Sequence, residues 1–287
     1  MSIAGIQRIC YGYFRKVIVE FLDGERRFHV AKIALHPFSV GLLKNEAVGR
    51  VSANLQGASS PFIISDNKAV LLMTGEPGSQ APRSMWLNCP APPFPYACNM
   101  LPVDVYRSRF SRSSTSSLWQ NDIAMYVDIL LNRVQNAALP IGESHGDFVY
   151  WNCLQSAQAL TIIDFESYSE ARIAGYDLWY WYVLPLVRLA VRRRQTRIFA
   201  GVLPLIARWL WRYRLVTADR NLAHCDQEPS LASDLSLGLT LLEHEAQMLE
   251  EHTFPDIIAL IGKDAFALRK EVCRAYNLVL ERVVRPG

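Results

Sequence analysis

The chain has 287 residues, 51% hydrophobic and 20% charged, with a formal net charge of +3. That length and composition suit one large domain or two lobes around a real core, and they exclude a disordered chain. The small net charge leaves no electrostatic footprint of a nucleic-acid binder, and the six scattered cysteines, with no CxxC pair, support neither a zinc site nor a disulfide framework.

In chain order, residues 8–22 hold β-rich runs, Asp23-Gly24 signals a hairpin turn, and Phe28–Leu35 reads as a third strand. Leu42, Leu43, Ala47 and Val48 follow on helical spacing, and Ala69–Met73 is a short apolar strand broken by Thr74-Gly-Glu-Pro-Gly78. Residues 76–117 are rich in Pro, Ser and Asn and read as an irregular connection, with a lid beside a substrate pocket as the alternative. The pattern turns helical from Leu118 to Ala138, and beyond Asp177 it stays helical almost to the end, interrupted near residues 218–230. The first ten residues lack the apolar core of a signal peptide, and the run Leu178–Val187 is too short to span a bilayer, so a cytoplasmic protein is expected.

The chemistry concentrates in His145-Gly-Asp-Phe-Val-Tyr-Trp-Asn152 and Ile162-Ile-Asp-Phe-Glu166. Asp147 stands five residues before Asn152, and Asp164 twelve after it. Phosphoryl transfer from ATP needs this inventory: one carboxylate to take or orient the proton of the attacking hydroxyl, and an amide and a second carboxylate to hold Mg²⁺ through oxygen. Alone, His-Gly-Asp is an ordinary turn, but Asn152 and Asp164 at these offsets favour the catalytic reading. Leu160–Ile163 reads as the strand that delivers Asp164. Glu166 would support metal or water, or else be a structurally paired carboxylate. His145 has no partners at ligand spacing and is read as structural.

Val30-Ala-Lys-Ile33 echoes the Val-Ala-Ile-Lys strand of kinases with the Lys one residue early. Glu46, fourteen residues on and in the following helix, is the expected counter-ion of Lys32, and a phosphate would complete the compensation of its charge. No G-x-G-x-x-G or Walker sequence is present, and a hairpin around Tyr11-Gly-Tyr13 is the nearest substitute for a phosphate-covering loop.

On these motifs the chain resembles the aminoglycoside phosphotransferase and choline kinase family. The resemblance implies an α+β, two-lobed protein-kinase-like fold with a small β-rich N-lobe and a large, mainly helical C-lobe. Residues 1–75 would form the nucleotide-binding lobe and residues 76–287 the catalytic and substrate-binding lobe. It further implies ATP and Mg²⁺ as cofactors, Asp147 as catalytic base, Lys32 and Glu46 at the nucleotide, and Asn152 and Asp164 as metal ligands. Asp177, in Gly175-Tyr-Asp-Leu178, resembles the structural Asp that opens a buried central helix.

Gly146 stands where protein kinases carry Arg, and only thirteen positions separate Asp164 from Asp177. That leaves no room for an activation loop with a peptide-docking segment, so the expected acceptor is a small-molecule hydroxyl: a sugar, an amino alcohol or an antibiotic, with a sugar or glycan-related hydroxyl favoured. The rival is an inactive pseudokinase that binds nucleotide or a partner. Between Arg188 and Arg214 lie eight arginines and no acidic residue, read as a solvated basic face or as weak contact with an anionic membrane surface. Glu243, Glu245, Glu250 and Glu251 would serve a cationic acceptor.

Overall fold

The computed structural model describes residues 2–12, 14–53, 62–65, 68–74, 79–87, 89–90, 92–94, 99–110, 123–134, 138–155, 160–212, 229–252 and 261–284. It is mixed α and β, with a β-sheet N-terminal region and a helical C-terminal region, and it divides into two compact units: residues 1–94 with 144–169, and residues 95–143 with 170–287.

The first unit is built on a five-stranded antiparallel sheet. Its strands are β1 (Ile3–Gly12), β2 (Lys16–Asp23), β3 (Phe28–Ala34), β4 (Phe62–Ser65) and β5 (Lys68–Thr74), in the order β1-β2-β3-β5-β4. Between β3 and β4 runs helix α1 (Pro37–Ser52). His36 caps it by accepting a hydrogen bond from Phe38 N at 3.2 Å, and Pro37 fills the first turn, where its missing N–H costs nothing. Helix and sheet close over Ala34, Val40, Leu43, Ala47, Ala69, Leu71 and Met73. The expected turn after β2 is wider than an Asp-Gly pair. Leu22 pairs with Phe28, and the left-handed residue is Arg26 (φ 61°), not Gly24. The Asp23 carboxylate ties this loop, accepting from His29 Nε2 at 2.9 Å, from Arg27 Nε at 2.8 Å, and from the backbone N–H groups of Glu25 and Arg27 at 2.9 Å each. The hydrogen bond to His29 comes first among the contacts that, against desolvation, hold Asp23 well below the usual carboxylate range.

The same unit holds a small antiparallel sheet of β6 (Ser79–Gln80), β9 (Cys153–Gln155) and β10 (Leu160–Ile162), in the order β10-β9-β6. Two 3₁₀ turns, Tyr150–Asn152 and Phe165–Ser167, flank the β9–β10 hairpin. The second turn lies against α1 so closely that a Cβ on Gly49 would sit 2.8 Å from the Tyr168 side chain.

In the second unit β7 (Asn99–Pro102), β8 (Ala138–Ser144) and β11 (Ser169–Ile173) form a sheet in the order β11-β8-β7. The helices are α2 (Val103–Ser108), α3 (Ile123–Leu131), α4 (Tyr176–Arg192), α5 (Thr196–Leu210), α6 (Pro229–His252) and α7 (Lys263–Val284). Ala138 opens a strand rather than ending the expected helix, because the chain leaves α3 after Leu131 and then buries Leu139 and Ile141 alternately. Trp179, Trp181, Leu203, Tyr276 and Val279 are fully buried in this unit, and Trp179 Nε1 donates to Ser236 Oγ at 2.8 Å. Gly175 (φ 82°) occupies the N-cap of α4, so Asp177 lies inside the first turn, buried, and is not the cap itself. Among the described residues, no helix is long and apolar enough to cross a membrane.

Candidate active site

Every residue singled out by the phosphotransfer motif lies in the first unit. Lys32 projects from β3 and Glu46 from α1, and Lys32 Nζ donates to Glu46 Oε2 at 2.6 Å, to Asp164 Oδ1 at 2.8 Å and to Glu166 Oε1 at 3.1 Å. Lys16, at the start of β2, donates to the other oxygen of Glu166. Side-chain exposure is 7% for Lys16, 9% for Lys32, 1% for Glu46 and 12% for Glu166, against 38% for Asp164. The carboxylate most open to a ligand is therefore Asp164.

Two ammonium groups and three carboxylates thus share one buried site. Burial opposes the charge on Lys32, but Asp164, Glu46 and Glu166 outweigh it and hold the ammonium well above its ordinary range. Burial likewise opposes ionisation of Asp164, yet Lys32 and Lys16 prevail and hold its carboxyl far below the usual carboxylate range. Glu46 goes the other way: burial dominates and raises it, with Glu166 and Asp164 adding to the effect against the pull of Lys32.

Asp147 and Asn152 form the second part. Asn152 Nδ2 donates to the backbone oxygen of Asp147 at 2.8 Å and to Asp147 Oδ2 at 2.9 Å. With its nitrogen so placed, the amide has its oxygen left as the group to offer a cation. The β9–β10 hairpin closes the twelve-residue gap between Asn152 and Asp164, since Cys153 pairs with Ile162 and Ile163 N donates to Asn152 O at 2.9 Å.

His145 locks the two parts together and does not face chemistry. Its Nε2 lies 2.8 Å from Ile163 O, beside Asp164, and its Nδ1 lies 3.3 Å from Asp147 N. Both bonds require the neutral imidazole with the proton on Nε2. Burial pushes its pKa down to about 4, against the opposing bond to Ile163. The unfolded chain therefore binds a proton that the native chain refuses. Stability contributed by neutral His145 is present above pH 6.5 and is lost as the pH falls toward 4, about 3 kcal/mol in all. Urea unfolding across that window should show the loss. His145→Gln, which cannot titrate, should be less stable at pH 7.5 and decline less between those limits, about 6.5 and 4.

Two backbone features fix the loop. Gly146 has φ 81°, and a Cβ there would meet Ser167 O at 2.0 Å, so the place of Arg in protein kinases admits only glycine here. Gly146→Ala should cost more than about 3 kcal/mol in urea unfolding, combining left-handed strain with a backbone clash. Asp164 itself is left-handed (φ 67°), a conformation that Asp tolerates better than most residues and that presents its carboxylate at the end of β10.

Glu46, Asp164 and Glu166 each offer one oxygen, all within 4.8 Å of one another. These are hard oxygen donors of the kind Mg²⁺ takes, and the donor set fits that ion. Sequence reasoning left Glu166 undecided and missed Lys16. The available signal was strand register: Ile18 pairs with Lys32, so Lys16, two residues away, shares the face of Lys32. Of the suggested phosphate loop, Tyr11 is 86% exposed and Gly12 pairs with Lys16, while Tyr13 lies outside the described residues. In the second unit Glu243 is half-buried and accepts from Tyr106 Oη at 2.7 Å and from Ile173 N at 3.1 Å, while Glu245 is buried. Glu243 is thus a structural carboxylate, and the side chains of Glu250 and Glu251 lie outside the described residues.

No protein-family model and no curated protein matches the sequence. The three-dimensional structure does find similar chains. An aminoglycoside phosphotransferase, APH(4)-Ia, in the apo form of a thermostable mutant, superposes with a TM-score of 0.52 at 13% identity, over 98% of this chain and 95% of that one. The ethanolamine kinase of Plasmodium vivax superposes with a TM-score of 0.51 at 11% identity, over 99% of this chain and 83% of that one. This chain has the fold of these small-molecule kinases. The resemblance read from the motifs around Asp147 and Asp164 therefore holds at the level of the fold, and the phosphotransferase fold accounts for a β-sheet N-terminal region followed by a helical C-terminal one.

Proposed function

We propose that this protein transfers the γ-phosphate of Mg·ATP to a hydroxyl of a small molecule. The observation that carries the reading is Lys32 bound at once to Glu46 and Asp164, with Asp147 held by Asn152 on the other strand at the same open end of the β9–β10 hairpin. In this reading residues 1–75 supply the nucleotide-binding pair Lys32 and Glu46, and residues 76–287 supply the catalytic and metal-binding groups. Asp164, with the amide oxygen of Asn152, would hold Mg²⁺, and the ion would offset charge on the phosphates. Asp147 would accept the acceptor's proton or hold its hydroxyl in line, while Lys32 orients the phosphates.

The acceptor is a small molecule because the interval from Asp164 to Asp177 is filled by a 3₁₀ turn and β11, leaving no length for a peptide-docking segment. Sugars and glycan-related alcohols come first on a test panel, followed by amino alcohols and aminoglycosides. Transfer of labelled γ-phosphate to a member of that panel supports the reading. Hydrolysis and transfer both absent, despite bound ATP, would favour the pseudokinase, whose support is the missing glycine-rich loop.

The arginine-rich segment supports a weak contact of α5 with an anionic membrane surface. Ile198, Val202, Leu205 and Trp209, spaced along one side of α5, are 68%, 44%, 61% and 55% exposed. Exposed Arg193 and Arg194 lie in the turn before that helix and exposed Arg197 in its first turn, whereas Arg208 is engaged by Asp234 at 2.8 Å. An apolar stripe bordered by arginines suits the boundary between lipid headgroups and acyl chains. Sedimentation should show binding to anionic but not neutral liposomes, weakened by salt and by Ile198→Glu. Equal behaviour on both lipids would leave a solvated basic face.

A further inference from the structure

We propose that Lys16 is a second phosphate-binding cation, and that Glu166 is the counter-anion that holds it in place until the triphosphate displaces it. The inference rests on the phosphotransferase reading of the site and adds to it a residue and an exchange of partners.

Lys16 and Lys32 share one face of the β2–β3 pair. Glu166 bridges them, one oxygen to each ammonium. The two cations are therefore spaced to grip two oxygens of a single anionic group, and two oxygens of a phosphate offer them the same grip with more charge. Among the described residues Glu166 is the only ion-pair partner of Lys16. A buried ammonium with one exchangeable partner is poised to accept another anion.

The turn before Lys16 is anchored independently of Glu166. Phe14 is buried with its ring centroid 4.7 Å from that of Phe38, its carbonyl accepts from Ser39 Oγ, and Arg15 O accepts from Leu35 N at 3.1 Å. Phe14 and Arg15 both hold left-handed backbone conformations, φ 60° and 54°, which non-glycine residues adopt only where their surroundings impose them. Lys16 is thus placed by the hairpin and α1, and it keeps its position when its counter-ion leaves.

The displaced carboxylate also has a destination. Glu166 is two residues beyond Asp164, and its oxygen falls within 4.8 Å of those of Asp164 and Glu46. When a triphosphate arrives with its divalent cation, Glu166 exchanges two ammonium partners for that cation while the lysines exchange a carboxylate for phosphate. No charge is left unpaired at either end.

The test is calorimetric titration of the full chain with adenosine, ADP and ATP, each with Mg²⁺ and with chelator. Lys16→Met should weaken ATP and ADP about ten- to a hundredfold, the cost of one charge-assisted hydrogen bond, and leave adenosine unchanged. Lys16→Arg should recover most of the loss, and it serves if the Met variant does not fold. Glu166→Gln should tighten ATP in chelator, because the competing anion is gone, and weaken it in Mg²⁺. A merely structural ion pair would move the melting temperature without separating ATP from adenosine. Lys16→Met binding ATP like wild type, or Glu166→Gln weakening ATP equally under both conditions, would overturn the proposal. Wild-type protein that binds adenosine nucleotides in neither condition overturns the phosphotransferase reading itself, and this inference with it.

Discussion

Replacing Lys32 with methionine is expected to destabilise the protein by about 3–5 kcal/mol, the scale for removing one partner from a buried ion pair. Among the described residues Lys32 is the one group paired with Glu46, Asp164 and Glu166 together, and Glu46 is 1% exposed. Without the ammonium, Glu46 has burial against its ionisation and two carboxylates beside it, so its pKa rises further than in the native chain. A carboxyl whose folded pKa lies above its unfolded value contributes stability at low pH and loses it as the pH rises through the folded value. The variant should therefore be closer to wild type at pH 5 than at pH 8, where Glu46 would have to ionise unpaired. Urea midpoints at the two pH values measure this, and a pH-independent loss would show that packing, not charge, dominates the site.

Asp147→Asn should lower turnover by about 10²–10⁴-fold, the range for losing a positioned base, with ATP affinity nearly unchanged. The substitution preserves size and leaves an amide oxygen to accept from Asn152 Nδ2, which now reaches Asp147 Oδ2 at 2.9 Å. Lys32, Glu46 and Asp164 are untouched. Single-turnover rates on a true acceptor give the result, and an unchanged rate would remove Asp147 from proton transfer.

Much of the candidate site's arrangement was legible because its signals are local. Lys32 sits in a period-two strand, Glu46 in a 3.6-period helix, and the Asn152–Asp164 offset is the length of one β-hairpin with its flanking turns. The separation that reads as a motif in sequence is a register in space, with Cys153 opposite Ile162. His145 was legible for the opposite reason, as a histidine with no ligand-spaced partners. It proved to be a neutral brace between Asp147 and Ile163.

What escaped depends on distant contacts. Lys16 lies 150 residues from Glu166, and no local pattern announces that pair. Gly146 looked like the absence of an arginine, whereas the Ser167 carbonyl makes it a steric requirement. The turn at Asp23-Gly24 was right in place and wrong in type, because four contacts to the Asp23 carboxylate, not glycine torsions, shape it. Glu243 read as a carboxylate for a cationic acceptor, but its oxygens are engaged by the Tyr106 hydroxyl and the Ile173 amide.

The most direct measurement is ATP binding by the wild-type chain and by Asp164→Ala, each titrated with and without Mg²⁺. Asp164 is the accessible carboxylate of the Lys32 cluster and the proposed link between metal and nucleotide. The account predicts that Mg²⁺ tightens ATP binding to the wild type and that Asp164→Ala loses most of this response while still binding ATP weakly in chelator. A wild-type chain indifferent to both ATP and Mg²⁺, or an Asp164→Ala variant with the full magnesium response, would contradict it.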